Sequence, residues 1–314
     1  MNHWTHIDHR LGAAYIHLHN AGNQILRLSG QAELVENGCA PELAPTTSIK
    51  PIVFDPTIQA RTGVMDLKAL VADFLPVHPN QRWIVISWLL TAFLLDLVRQ
   101  RGLLQFTGKP NSGKTSAAGL LSCLLYGTGN IPYSAAKAQE NVEAGNPLLR
   151  IDPPGNGSEA LDRLLLSLAQ GTSRHRALAM FTGSEPFHVQ ELAQWTFQVE
   201  CRLEFQEPAF QGLLHLAEIL RFRSRILSGI FQLLAREVVP SEDCRRAVVL
   251  EKISKQHPGH SKSHLDPFLA LMTVILQGLL GELHGSGSRG EYEAWRLISG
   301  WIEEQGEARE NHGN

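Results

Sequence analysis

Apolar and polar residues alternate through the first part of the chain. In "AAYIHLHN", Ile16 and Leu18 fall on one face and Tyr15, His17 and His19 on the other, the period-two pattern of a strand. "NQILRL" and "AELVENG" repeat it, with Ala-Gly-Asn and Ser-Gly-Gln as turns between them. Residues 12–36 therefore predict a small antiparallel sheet with one wet face that carries the histidines. Residues 38–60 are rich in Pro and Thr and read as a linker or an irregular wrap. Near Asp66 the period lengthens. Leu67, Leu70, Val71 and Phe74 share a helical face, and Pro76 and Pro79 break it. Trp83–Val98 is apolar enough to be a buried helix. It is shorter than the roughly 20 residues that a bilayer span needs.

Further on, short apolar runs alternate with helical ones. "GLLQFTG" reads as a buried strand, and "SAAGLLSCLLYG" as a helix that ends at Gly127. "NPLLRID" (146–152) is a second strand and "EALDRLLLSLAQG" (159–171) an amphipathic helix closed by Gly171. "ALAMFTG" (177–183) and the alternating "FQVECRLEF" (197–205) are the third and fourth strands. Residues 206–285 are mainly helical, and the tail "EEQGEARENHGN" reads as frayed. Strand-helix alternation predicts an α/β core over 61–205. A β-rich segment and linker (1–60) precede it, and a helical region (206–314) follows.

Composition narrows the field little. The chain has 314 residues, 43% hydrophobic and 19% charged, with a formal net charge of −3. That fits a globular protein with a real core and excludes a polybasic mat. A nucleic-acid channel needs only a few local cations, so nucleic acid stays open. The four cysteines have no paired spacing, which points to a reducing, cytoplasmic setting. The N-terminus lacks the apolar core of a signal peptide.

The strongest chemical signal is "GKPNSGKTS", Gly108-Lys109-Pro110-Asn111-Ser112-Gly113-Lys114-Thr115-Ser116. Gly-x-x-x-x-Gly-Lys-Thr between a strand and a helix is a polyphosphate cradle. Glycines let successive N–H groups turn inward, and the helix N-terminus adds its positive dipole. Lys114 reaches the β and γ phosphates and the Thr115 hydroxyl holds Mg²⁺. The expected ligands are ATP and Mg²⁺.

Asp152 ends a buried strand, where an acid can hold metal-bound water; a turn or capping Asp is the plainer alternative. Arg150 interrupts that strand, and Pro153 and Pro154 stand where many ATP-hydrolysing proteins carry a glutamate. Thr182 in "MFTGSEP" sits at a strand tip and reads the γ-phosphate or is a turn residue. Glu185 is a weaker candidate for orienting water. Arg174, Arg176 and Arg202 are candidates for an arginine finger or a nucleic-acid contact. "RFRSR" (Arg221, Arg223, Arg225) reads as a solvated helix face. His6, His9, His17 and His19 leave a metal site conceivable, but no ligand set of carboxylates or cysteines accompanies them.

From Tyr15 to Phe205 the order of parts resembles bacterial and phage P-loop ATPases found with primases on mobile elements. These are similar in plan to superfamily-three and phage primase-helicase ATPases, near the AAA+ class. "GKPNSGKT…LLSCLLYG" resembles their Walker A segment, "NPLLRID" their Walker B strand, and "FTGSEP" their sensor. "LLLSLAQGTSRHR" resembles the helix and loop before the sensor, and "WLLTAFL" the helix before the cradle. The resemblance implies an AAA+-like fold and a helicase-like motor in mobile-element DNA replication. It also implies single-stranded DNA as substrate, a ring of copies and an associated primase. Members tend to carry an acid or amide where this chain has Pro153, and an arginine where it has Trp195. Those two departures favour an alternative, a weakly hydrolysing or non-hydrolysing nucleotide switch that recruits a replication partner. A small-molecule kinase is a third reading, without an arginine-rich lid to support it.

Overall fold

The computed structural model describes residues 3–38, 42–46, 48–128, 137–151, 159–183, 190–206, 212–240, 242–260, 262–285 and 287–310. The N-terminal strands β1 (Thr5–Asp8), β2 (Ala13–His17), β3 (Gln24–Ser29) and β4 (Gln31–Glu36) form an antiparallel sheet in chain order. The alternation predicted three of them and missed β1. It also predicted a wet face, which β2 lacks, because all of β2 is buried. One face (Ala14, Ile16, Leu26, Leu28) joins the main core. The other (Ala13, Tyr15, Ile25) packs with Leu43 and Val35. Leu43 belongs to the linker, which folds back over the sheet. Asn37 holds it there: its amide donates to the Leu43 carbonyl at 2.7 Å and its oxygen accepts from the Leu43 N–H at 2.8 Å. The side-chain amide closes the linker like a strand partner, so the face expected in water is covered.

Helix α1 (Ala60–Leu70) starts earlier than the Asp66 expected, and a 3-10 turn follows at Ala72–Phe74. Pro79 does not break a helix. It opens α2 (Pro79–Leu90), with His78 as its N-cap, because proline at the first helical position gives up no needed N–H. The single apolar helix expected over 83–98 is two elements: α2 ends at Leu90 and a 3-10 turn runs from Thr91 to Leu97, broken at Leu94.

The second sheet is parallel, in the order β6-β7-β5-β8. Its strands are β5 (Leu103–Thr107), β6 (Leu148–Ile151), β7 (Leu178–Thr182) and β8 (Thr196–Glu200). Parallel neighbours need helical crossovers. Helix α3 (Lys114–Tyr126) leaves β5, and α4 (Ala138–Glu143) precedes β6. Helix α5 (Glu159–Gln170) leads to β7, and α6 (Gln190–Trp195) to β8. β8 stops at Glu200, short of the predicted 205, because the Arg202 N–H turns to the Pro76 carbonyl at 2.8 Å and a 3-10 turn follows at Leu203–Phe205.

Among the described residues, helices α7 (Leu213–Leu233), α8 (Glu242–Gln256), α9 (Asp266–His284) and α10 (Gly287–Glu310) follow. A π-helical segment, Leu234–Val238, extends α7. Helix α9 is long and apolar enough to cross a membrane, but 72% of that stretch is buried inside the protein. One hydrophobic core runs from Trp4 through the parallel sheet to Ile302. The tail expected to fray is helical through Glu310. Its Gln305 amide donates to the Gln198 carbonyl at 2.9 Å and accepts from the Gln198 N–H at 3.0 Å. One side chain thereby takes both outward groups of the middle residue of edge strand β8. At β6, Tyr126 does the same: its hydroxyl accepts from the Leu148 N–H at 3.1 Å and donates to the Leu148 carbonyl.

Candidate functional site

The segment between β5 and α3 is shaped by its glycines. Gly108 has φ +130° and Gly113 φ +92°, with Asn111 also left-handed at +63°. A Cβ on Gly108 would lie 2.5 Å from the Cys201 carbonyl and 2.7 Å from the Ser112 hydroxyl. On Gly113 it would lie 2.8 Å from the Pro76 ring. Both sites therefore exclude side chains on conformation and on space. The loop folds tightly over the end of β5, with the Ser112 N–H donating to the Lys109 carbonyl at 3.2 Å. The Lys114 ammonium turns into it, donating to the Gly108 and Lys109 carbonyls, both at 2.7 Å. Gly113 is the N-cap residue of α3 and supplies no side-chain cap, so the first N–H groups of the helix face the loop. Lys109, Pro110, Asn111 and Thr115 are exposed, Ser116 is half-buried and Ser112 is buried.

Neighbouring strands shape the rim. The Cys201 N–H donates to the Thr107 carbonyl at 2.8 Å, which seats the end of β8 beside the loop. Burial pushes the Cys201 thiol up to about 12, although the nearby Lys114 charge acts in the opposite sense. The thiol is therefore neutral at ordinary pH. Leu203, an exposed apolar side chain, stands next to Pro76 and Gly113.

Thr182 ends β7, opposite Phe106 of β5, and is buried. It therefore lies on the strand directly beside the one that carries the loop. β7 lies between β6, which leads to Asp152, and β5, which carries the loop. A βαβ crossover that skips a position leaves room for a later strand, which sequence spacing does not reveal. Asp152 and Glu185 lie outside the described residues, as do Pro153 and Pro154. Arg150, read as an interruption of β6, is buried, and its guanidinium donates to the Thr115 carbonyl at 3.1 Å.

The basic residues divide. Arg174 and Arg176 precede β7, at the opposite end of the parallel sheet from the loop. A five-residue strand separates the two ends by roughly 15 Å. Arg176 pairs with Asp96, and Arg174 contacts His175 at 3.0 Å. Neither reaches the loop of its own chain. Arg202 is at the loop's rim, exposed, and paired with Glu200 at 2.8 Å and Glu204 at 3.4 Å.

"RFRSR" is not a solvated face throughout. Arg221 is exposed and Arg225 pairs with Asp66 at 2.6 Å, but Arg223 is buried against the far end of α3. It donates to the carbonyls of Leu124 (2.9 Å), Leu125 (2.8 Å), Lys50 (3.3 Å) and Pro51 (3.1 Å). Burial lowers its pKa to about 10, so it stays charged at neutral pH.

The wet-face reading of the histidines fails for His17, which is buried and contacts Asn23 at 3.0 Å through Nε2. Its Nδ1 accepts from the His19 N–H at 2.8 Å, and His19 Nδ1 accepts from the Thr46 N–H at 3.2 Å. Burial, then His17 and Arg223, hold the His19 imidazole down to about 3. Among the described residues no three His, Cys, Asp or Glu side chains converge on one metal position. Trp195, where the resemblance places an arginine, is buried with its ring 4.3 Å from that of His264.

No protein-family profile matches the chain, and no curated protein sequence is significantly similar to it. Among solved structures the chain is similar to the active helicase Cch of SCCmec type IV. The identity is 14% and the TM-score 0.53, over 94% of this chain and 60% of that one. At that identity the likeness is one of fold: a mixed α/β architecture with a parallel sheet and flanking helices. The chain spans 60% of that protein's length. Two apo structures of the NrS-1 C-terminal region align at 11% identity. The first has a TM-score of 0.33 over 84% of this chain and 86% of that one. The second has a TM-score of 0.34 over 91% of each. Both scores are too low to carry a structural argument.

Proposed function

We propose that the chain binds ATP in the 108–116 loop and is the helicase-like motor of a mobile-element or phage DNA replication system. The observation that carries the reading is the Lys114 ammonium. It is folded into a loop with two left-handed glycines, at a helix N-terminus without a side-chain cap. A triphosphate fits this donor set: backbone N–H groups, a helix dipole and one mobile cation converge where anionic oxygens would lie. The carbonyl contacts of Lys114 are ones that phosphate oxygens can replace. Thr115 and Asp152 would hold Mg²⁺, which when bound neutralises charge on the β and γ phosphates.

The chain's own residues then have separate tasks. Gly108 and Gly113 let the backbone approach the phosphates. Lys114 follows the charge on the outer phosphates. Thr182, on the adjoining strand, reads the γ-phosphate, and Glu185 orients water. Arg174 and Arg176 lie at the other end of the sheet. From there they contact single-stranded DNA or the site of a neighbouring copy in a ring. The likeness in fold to an active helicase supports the motor reading, and a primase is the matching partner.

Lys114→Ala tests the binding. In a titration with a fluorescent ATP analogue, its affinity should fall by at least about ten-fold, roughly one lost charge-assisted contact. Unchanged affinity would refute the assignment. A second reading, a switch with little or no hydrolysis, is favoured by the burial of Trp195 where the resemblance places an arginine. Phosphate release with and without single-stranded DNA separates the two: DNA-stimulated turnover supports the motor, and its absence supports the switch.

A further inference from the structure

A cleft lies at the C-terminal end of α9, lined by no residue of the 108–116 loop. Five elements meet there: α1, the π-helical segment, α8, α9 and α10. Its volume is about 300 Å³, at the lower end of the range for small-ligand sites. A second cavity of about 330 Å³ adjoins it and shares Arg61, Arg236 and Glu282 with it. That second lobe adds an apolar wall of Pro56, Ile58 and Ala60. The floor of the first lobe is bare backbone at Gly278, Gly281 and Gly285. A Cβ added at Gly281 would meet nothing within 4 Å, so the space above it is not filled by packing.

The wall of the first lobe is charged and balanced. Arg61, Arg236 and Arg245 stand with Glu237, Glu282 and Glu291. Four of these six are held to one another. Arg236 pairs with Glu237 at 2.7 Å and with Glu282, and Arg245 pairs with Glu237 at 3.1 Å. The π turn sets up this group. Its Val239 N–H reaches back five residues to the Leu234 carbonyl at 3.0 Å, and such turns recur at functional sites. Arg61 on α1 and Glu291 on α10 are different. Among the described residues neither has an ion pair or a hydrogen bond. The Arg61 guanidinium lies 3.7 Å from where a Cβ on Gly285 would stand, beside the last turn of α9. Its plainer role would be to cap that helix, as Arg223 caps α3. Arg223 donates to the end carbonyls of its helix, and Arg61 donates to none.

The two unpaired groups have opposite charge, and they select the ligand. A phosphate would meet Arg61 but also three carboxylates, and a nucleic-acid strand would meet them at greater cost. A molecule with one anionic and one cationic group matches both. We propose that the cleft binds a small zwitterion, an amino acid or short peptide with an apolar side chain. Its carboxylate lies on Arg61, whose planar fork suits it. Its ammonium lies on Glu291, and its side chain enters the lobe of Pro56, Ile58 and Ala60. The site is independent of the nucleotide assignment.

The probes are L-leucine and glycyl-L-leucine, titrated into the full chain by calorimetry and followed by the thermal midpoint, which a ligand of the folded state raises. Both should bind, and the tighter one identifies the source as a free amino acid or a peptide. L-Leucine methyl ester lacks the carboxylate and N-acetyl-L-leucine lacks the ammonium. Each should bind at least about ten-fold more weakly than L-leucine. Arg61→Gln should weaken L-leucine about ten-fold, and Glu291→Gln severalfold. Both residues are exposed, so neither change disturbs the core, and both variants should bind the fluorescent ATP analogue as the wild type does. No binding of either probe at millimolar concentration overturns the proposal, as does equal binding of the ester. Inorganic phosphate binding as tightly as L-leucine, and lost in Arg61→Gln, would also overturn it, since the cleft would then be a simple anion site.

Discussion

The two ends of α3 are built in opposite ways. At the C-terminal end, Gly127 closes the helix in the left-handed region and Arg223 satisfies the Leu124 and Leu125 carbonyls. The same guanidinium reaches the linker at Lys50 and Pro51, so three parts of the chain meet on one buried cation. At the N-terminal end there is no side-chain cap, a lysine folds onto its own loop, and Arg150 brings a further cation. One end has its polar groups matched within the protein. The other has no side-chain cap, and its lysine is held only by carbonyls and a hydroxyl of its own loop. A helix designed for stability alone would be capped at both ends. The asymmetry fits a division in which one end serves stability and the other the proposed binding.

That division can be broken from the sealed end first. Arg223→Met removes four hydrogen bonds from a charged donor and leaves buried carbonyls unmatched. Stability should fall by upwards of about 3 kcal/mol, read as a lower denaturant midpoint. A loss within experimental error would mean that the end is not sealed by this residue. At the open end, Gly113→Ala combines a left-handed φ with a Cβ pressed on Pro76. It should lower stability by about 1–3 kcal/mol and nucleotide affinity with it. Intact ATP binding in that variant would show that the loop tolerates a shift there.

The smallest effect concerns charge spreading from the sealed end to the N-terminal sheet. His19, held down to about 3 with Arg223 as one cause, has an ordinary value of 6.5. Between those values the unfolded chain binds the proton and the folded chain does not, so stability falls as pH drops through that window. His19→Gln should lose less stability than the wild type between pH 7 and pH 4.5. Parallel curves in urea melts at the two pH values would count against this.

The sequence displays these two ends unequally. The open end is legible because phosphate-cradle chemistry needs glycines and a lysine at fixed spacing, and Gly108, Gly113 and Lys114 have it. β5 and β7 are legible because strands buried on both faces read as apolar runs. The sealed end is not legible. In "RFRSR" all three arginines look alike, and only the position of α3 decides that Arg223 turns inward while Arg221 and Arg225 turn out. The wet face assigned to His17 failed for the same reason, since the covering residue, Leu43, lies in the linker. The order of β6, β7 and β5 depends on the crossover, which local pattern does not encode. The family expectation at Trp195 could be read by position, but its burial against His264 could not.

The edge strands carry a consequence for how copies of this protein can meet. Gln198 of β8 and Leu148 of β6 have their outward amide and carbonyl groups already engaged by Gln305 and Tyr126. At those two positions a neighbouring chain finds no template for backbone zippering, the route by which exposed sheet edges seed fibres. Loss of the last turns of α10 would remove Gln305 and expose the Gln198 backbone groups. The end of that helix therefore serves as a guard against irreversible self-association as much as part of the core.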